Sequence, residues 1–405
     1  MIKNYDIPDV TFEQVREAYL DCRKNKKNSD RHIEYESDLE VNLVNLYRDL
    51  KDRTWYPGKS FTFVVTRPQP REVFAACFND RIVHHLLIRQ IEDLFEDVFI
   101  EDIYSCRSGK GALYGVNCLS TKLEEFSNNY TKKVYVAKFD LKGFFMSIDK
   151  EILCRKLTDF LRKNYPGKNL GFLIWIARSI ILHCPENNCE YRGDPNLKRL
   201  IPKEKSLFYS GETKGLPIGN LTSQVFANFY LHEFDILASR WFKGGYGRYV
   251  DDFFVISETK RQIRKFRKFA KKYLQEELGV NLHTKKFYTQ DIRKGVKFIG
   301  YVVKPGRIYI GNMTVANFHH VIEDMNLFIR KDHNSENKNI VPILKHFESQ
   351  WNSYIGFMIH SSSYNLRKEA WENLDHRWRK YITRDPRFII RLRKRYRFQC
   401  LPLKP

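Results

Sequence analysis

The chain has 405 residues, enough for two or three packed subdomains with a sizeable core. Seventy Lys and Arg against 48 Asp and Glu leave a net charge of +22, which favours a polyanionic partner, nucleic acid before anionic membrane. With 42% hydrophobic and 15% aromatic residues, a disordered basic tail is excluded. The longest apolar stretch, residues 171–182, is interrupted by Arg178 and falls short of the roughly 20 residues of a membrane span. The first residues lack a secretory pattern, and eight scattered cysteines suit reduced thiols, so a soluble, cytoplasmic protein without membrane contact is expected.

In chain order, residues 11–53 predict two helices around a basic break, and 60–66 a strand running into the proline turn at Pro68 and Pro70. Apolar residues at helical spacing follow over 80–99. A buried strand is expected at 133–140, ending on Asp140, with helices over 149–164 and 170–183. A polar insertion, 184–214, precedes a helix starting near Gly219. The segment GYGRYVDDFFVIS then reads as a hairpin turning at Asp251 and Asp252. A basic helix (258–278), a strand-rich piece (280–311) and two or three helices to about residue 382 follow, then a basic tail. Strands and helices mix without regular alternation, which predicts an α+β fold with an antiparallel central sheet. His183, Cys184 and Cys189 lack a second ligand pair at finger spacing, so zinc is not expected.

The chemistry concentrates on three carboxylates. Asp140 closes one apolar strand; Asp251 and Asp252 stand between Arg248-Tyr249-Val250 and Phe253-Phe254-Val255. Paired aspartates are ordinary in turns. Within apolar strand sequence their charge is costly unless a cation balances it, and hard oxygen ligands suit Mg²⁺.

Tyr249-Val250-Asp251-Asp252 resembles the Tyr-x-Asp-Asp box of reverse transcriptases, and residues 139–145 (FDLKGFF) resemble their first palm motif. Segments 70–83 and 104–111 are similar to the fingers motif and its basic turn, 216–224 (LPIGNLTSQ) to the start of the nucleotide-side helix, and 297–301 (KFIGY) to the primer-gripping hairpin. The resemblance implies a right-hand polymerase: an N-terminal helical extension (1–54), fingers and palm (55–311), a helical thumb (312–382) and a basic tail (383–405). It implies an RNA-directed DNA polymerase using two Mg²⁺ ions, with Mn²⁺ able to substitute. Asp140, Asp251 and Asp252, with the Leu141 carbonyl, would hold the metals. Lys286, or Lys285 beside it, would protonate pyrophosphate. Arg71 would meet the triphosphate, Phe145 (with Phe144 beside it) would exclude a ribose 2′-hydroxyl, and Ile218 and Gly219 would face the incoming nucleotide. Arg107, Lys110, Lys142 and Gln224 would contact nucleic acid.

Most members carry Pro-Gln-Gly and Ser-Pro where this chain has Pro217-Ile218-Gly219 and Ser223-Gln224. That variant resembles the bacterial enzymes of diversity-generating retroelements, which copy a template RNA with errors opposite adenine. Template RNA, a DNA or RNA primer, deoxynucleoside triphosphates and an oligomeric accessory variability protein are the partners this implies. A defence-associated or group II intron-like reverse transcriptase, and an inactive RNA-binding scaffold, are the alternatives. About 23 residues follow the thumb, so no nuclease domain is expected there. The charge excess lies in Lys260–Lys272, with eight cations and no acid, and from Arg377 to Lys404, with eleven cations against Asp385. In the tail Arg391, Arg393, Lys394 and Arg395, interleaved with Trp378, Tyr381, Phe388, Tyr396 and Phe398, suit unpaired bases.

Overall fold

The computed structural model describes residues 9–24, 30–66, 69–331 and 340–397. Helices α1 (Phe12–Arg23), α2 (Asp30–Ser37) and α3 (Leu39–Lys51) precede strands β1 (Ser60–Val65) and β2 (Arg71–Ala75). Helices α4 (Phe78–Val98) and α5 (Ala112–Phe126) lead to β3 (Tyr135–Asp140), a single turn α6 (Phe144–Ser147), and helices α7 (Lys150–Asn164) and α8 (Leu170–Leu182). Strand β4 (Cys189–Tyr191) stands among short 3₁₀ turns before helix α9 (Leu221–Trp241). Strands β5 (Tyr246–Tyr249) and β6 (Asp252–Ser257) and helix α10 (Lys260–Leu278) come next. Strands β7 (Tyr288–Asp291), β8 (Val296–Phe298), β9 (Tyr301–Lys304) and β10 (Arg307–Ile310) follow. Helices α11 (Asn312–Lys331), α12 (Val341–Met358) and α13 (Tyr364–Glu372), strands β11 (Ile382–Arg384) and β12 (Ile390–Leu392), and a last turn α14 (Lys394–Arg397) end the described chain.

The expected elements from residue 60 to 311 are all found, within a few residues. The N-terminal pair of helices is instead three, because Asp38, with φ −121°, takes the backbone out of helix between α2 and α3. The proline turn lies partly outside the described residues, since Arg67 and Pro68 are not among them. Among the described residues no helix is long and apolar enough to cross a membrane.

The chain divides into two compact units. The first holds Met1–Lys110, Lys138–Val255 and Lys260–Tyr288. Within it α4 packs against α1, α8 and α9, and α10 packs on α9. Aromatic rings dominate the interior: Phe95 stacks on Phe229 at 4.8 Å, and Phe139 of β3 stacks on Phe253 of β6 at 4.8 Å. Such pairs bury large apolar area in a defined geometry. β5 and β6 pair antiparallel with Tyr249 opposite Asp252, so the turn falls at Val250 and Asp251, and β3 is the next strand after β6. α10 buries Ile263, Phe266, Ala270, Leu274 and Leu278 and leaves its eight cations, Lys260 to Lys272, on the exposed face. The polar insertion is integrated rather than appended: β4 pairs parallel with β1, and Ser206 Oγ and Leu207 N donate to the buried Glu72 carboxylate of β2.

The second unit holds Gly111–Ala137, Ile256–Thr259 and Thr289–Pro405. Antiparallel strands β8, β9 and β10 form one sheet, and α5 packs against β9. The boundary expected at residue 383 does not separate a free tail here. β11 and β12 pair antiparallel, and β12 packs on α12. Trp351 Nε1 donates to Phe388 O at 2.8 Å, and Asn352 bonds both the N–H and the C=O of Ile390. Trp378 and Phe388, expected to stack on bases, are buried core residues, with Trp378 Nε1 donating to Met325 O. Composition cannot distinguish an aromatic that serves a core from one that serves a surface. Phe398 lies outside the described residues.

One buried acid on α4 makes a stability test. Asp80 accepts from Gly58 N at 2.9 Å, yet burial pushes its carboxyl from 3.8 up to about 6. The folded chain therefore holds this proton more tightly than the unfolded one. Its contribution to stability is complete below 3.8 and is lost as pH rises through about 6. Asp80→Asn, which keeps an acceptor for Gly58, should gain on the wild type by on the order of 2–3 kcal/mol between about pH 4 and about pH 7.5, read from denaturation midpoints. A gap that is the same at both pH values would rule this out.

Candidate active site

Three backbone segments of the first unit meet at one end of the sheet. Leu141 N, just past β3, donates to Asp251 O in the β5–β6 turn at 3.1 Å. On the other side of Asp140, His283 N donates to Asp140 O at 2.7 Å and Lys142 N to Asn281 O at 2.8 Å. These bonds fix Asp140, Asp251 and Asp252 relative to one another, because each strand end is held through main chain rather than through flexible side chains.

The carboxylates repel. Burial first, then the charges of Asp252 and Asp140, push the Asp251 carboxyl up to about 6. Burial also raises Asp252, opposed by the ammonium of Lys138. Two lysines answer the excess of negative charge. Lys138 Nζ lies 2.9 Å from Asp252 Oδ2, and Lys286 Nζ lies 2.8 Å from Asp140 Oδ2. The reading of the sequence did not find Lys138. The signal was there: two residues before Asp140 in a strand, it shares that aspartate's face. Lys286, expected to act on pyrophosphate, is the one of the neighbouring pair with its ammonium on Asp140.

The donor chemistry fits a divalent cation: three hard oxygen ligands crowded until one is forced toward protonation. Among the described residues, however, no group of three or more His, Cys, Asp or Glu side chains stands arranged to hold a metal ion as they are. Two of the three carboxylates are engaged by ammonium groups, and a cation held by all three would have to take the place of both lysines.

The nucleotide-side candidates form a second cluster in the same unit. Phe74 N in β2 donates to Ile218 O at 2.8 Å, and Ala76 N to Asn220 Oδ1 at 3.3 Å. Leu216 N donates to Phe145 O at 2.9 Å, tying the segment before Ile218 to the turn after β3. Phe145 is half-buried and Ile218 partly exposed, whereas Phe144 is a core residue and unavailable to a ribose. Leu141 likewise buries its side chain. Arg71 is exposed at the start of β2; burial raises the Tyr249 phenol, and the charge of Arg71 offsets part of that rise.

The template candidates divide. Lys142 and Gln224 are exposed, Gln224 accepting from Cys106 Sγ at 3.3 Å. Arg107 is not a surface cation. Its side chain is 5% exposed, paired with Glu96 at 2.6 Å and donating to Ile100 O at 2.7 Å. Lys110 is 9% exposed and bonds the carboxylate and carbonyl of Glu101. Both organise the turn before α5, which corrects their expected place on nucleic acid. In the second unit Arg391, Arg393, Lys394 and Arg395 are exposed, although Arg393 and Arg395 also donate to Arg379 O and Lys380 O.

Gly219 sits at φ +123°, where a Cβ would stand 2.7 Å from Val73 Cγ1 and 2.8 Å from Phe74 O. Gly219→Ala should therefore cost about 1–3 kcal/mol in urea denaturation and loosen β2 from the Ile218 segment. Gly211→Ala is the control, because it shares a positive φ of +81° but has open space around it. Equal losses for the two would show that the close approach at Gly219 is unimportant.

Residues 68–303 match the reverse transcriptase (RNA-dependent DNA polymerase) family. No curated protein matches the chain. Among solved structures it is similar to telomerase from Candida albicans in complex with a fragment of telomeric RNA, at 9% identity and a TM-score of 0.45, over 78% of this chain and 55% of that one. It is also similar to apo telomerase from Candida tropicalis, at 12% identity and 0.46 over 78% and 56%, and to a form lacking the C-terminal domain, at 11% and 0.43 over 67% and 60%. The chain thus spans less than two thirds of each of those proteins. The family match takes in both β3 with its aspartate and the β5–β6 turn with its two, spans more than half of the chain, and makes this protein a member of the reverse transcriptase family, with that family's α+β right-hand polymerase fold.

Proposed function

We propose that this chain extends a primer along a template RNA with deoxynucleotides, by two-metal nucleotidyl transfer. The observation that carries the reading is the convergence of Asp140, Asp251 and Asp252 at one sheet end, bonded through Leu141 N to Asp251 O. Asp140, Asp251, Asp252 and the Leu141 carbonyl would hold two Mg²⁺ ions, with Mn²⁺ able to substitute. Bound there, the cations would stabilise charge on the attacking 3′ oxygen and on the leaving pyrophosphate. Asp251 serves as a ligand only when ionised, which its raised pKa of about 6 permits at neutral pH. Lys286, freed from Asp140, becomes the proton donor to pyrophosphate. Arg71 binds the triphosphate with its planar fork. Phe145 bars the ribose 2′-hydroxyl. The exposed cations of α10, with Lys142, Gln224 and the basic C-terminal residues, hold nucleic acid through its phosphates and through structured template RNA.

Within the family we place the chain with the bacterial enzymes of diversity-generating retroelements. The support is Ile218: its backbone is bonded to β2, and its branched apolar side chain offers no hydrogen bond to a nucleotide. A site without polar positioning groups discriminates less sharply between bases. An oligomeric accessory variability protein would be the partner of such an enzyme.

Primer extension on poly(rA)/oligo(dT) with Mg²⁺ tests the activity. The wild type should synthesise, and Asp251→Ala should lose about 10³-fold or more while still retaining RNA. RNA binding by a wild type that makes no DNA would instead mark a scaffold. For the subfamily, Ile218→Gln should lower misincorporation opposite adenine by about tenfold on a defined RNA, and an unchanged error spectrum would reject the assignment.

A further inference from the structure

Behind the β5–β6 turn lies a polar network that no role so far described uses. Arg248 of β5 is fully buried, and its fork meets fully buried Asp235 of α9 through Nε at 2.7 Å and Nη2 at 2.6 Å. Tyr246 Oη donates to the same carboxylate at 2.6 Å. The third nitrogen, Nη1, donates to Val250 O at 2.8 Å and to Asn228 Oδ1 at 3.2 Å. Asn228 in turn donates from Nδ2 to Ser105 O, and Ser105 Oγ donates to Asn228 Oδ1 at 3.2 Å. Ser105 Oγ also accepts from Val250 N at 3.0 Å.

Both polar groups of the Val250 backbone are therefore held, its N–H by Ser105 and its C=O by Arg248. Val250 needs holding. Its φ is +56°, at the first central position of a two-residue hairpin turn where glycine is the usual occupant. A β-branched residue there is strained and persists only where the surroundings over-determine it. The next two residues are Asp251 and Asp252. A buried ion pair alone is weak evidence for a stabilising role, because desolvation offsets much of its attraction. Here the pair has a specific outlet: a charged donor delivered to one carbonyl of the turn.

We propose that Ser105, Asn228, Asp235 and Arg248 form a positioning network that holds Val250 in its left-handed conformation and thereby aims Asp251 and Asp252. The proposal rests on those aspartates being the catalytic ones. None of the four touches substrate; they act through the backbone of the turn.

Ser105→Ala is the mild probe, since it removes one hydroxyl, with its bonds to Val250 N and Asn228 Oδ1, and leaves the ion pair intact. It should slow single-nucleotide addition by about tenfold with the KM for dTTP changed by less than about threefold. Hydrogen exchange in the peptide covering the turn should rise by about tenfold, with the flanking parts of β5 and β6 unchanged. Val250→Gly relieves the strained φ, so in that background Ser105→Ala should slow addition by less than about threefold. Arg248→Lys keeps the charge but loses the fork, and should act as Ser105→Ala does or more severely. A lowered Tm with normal addition rate and normal exchange at the turn would overturn the proposal, as would additive effects of Ser105→Ala and Val250→Gly. If the wild type adds no nucleotide, the polymerase reading fails by itself. The exchange measurement then decides the network alone: loss of protection confined to the turn upholds it, and unchanged protection rejects it.

Discussion

Like-charge repulsion at the sheet end is the constraint around which the first unit is arranged. Three carboxylates are brought together by main-chain hydrogen bonds that do not relax when the side chains repel. The cost appears as an Asp251 carboxyl shifted toward protonation and as two lysines drawn onto Asp140 and Asp252. Such crowding has no structural benefit, since apolar residues at the same strand ends would pack without penalty. Its persistence makes sense where a cationic ligand completes the charge balance.

The same logic separates the cations by task. Lys138 and Lys286 neutralise acids within the site, Arg107 and Lys110 brace a turn, and Arg248 is buried against Asp235. The cations of α10 stand on an exposed face, opposite the apolar stripe by which the helix packs. A count of positive charges treats all of these alike. Only burial tells which belong to the fold and which remain to meet a polyanion.

What was legible in the sequence follows from range. Strand ends, helix periodicity and hairpin turns are local signals; β3, α9, α10 and the β5–β6 hairpin fall where they were expected, the hairpin turning one residue earlier, at Val250 and Asp251, because Asp252 already pairs with Tyr249. The three aspartates were legible because charge within apolar strand sequence is conspicuous. Lys138 was missed although strand alternation puts it on the Asp140 face. Asp235 and Arg248 were missed because their pairing joins a helix to a strand thirteen residues on, and neither residue type announces burial. Trp378 and Phe388 were misplaced for the converse reason: their basic neighbours look like a binding surface, while the rings complete a core with α12 and α11.

On the proposed reading, the bond from Phe74 N to Ile218 O bears on selectivity as well. It makes the strand that begins with Arg71 and the segment that carries Ile218 parts of one rigid gauge, with the narrow passage at Gly219 setting the spacing between them. A nucleotide touching both would be measured at its phosphates and near its base by the same ruler. A change of residue 218 would then alter how well any base is tolerated and also how firmly the triphosphate is seated. Accuracy and affinity would be two readings of a single length, and selection acting on one would carry the other with it.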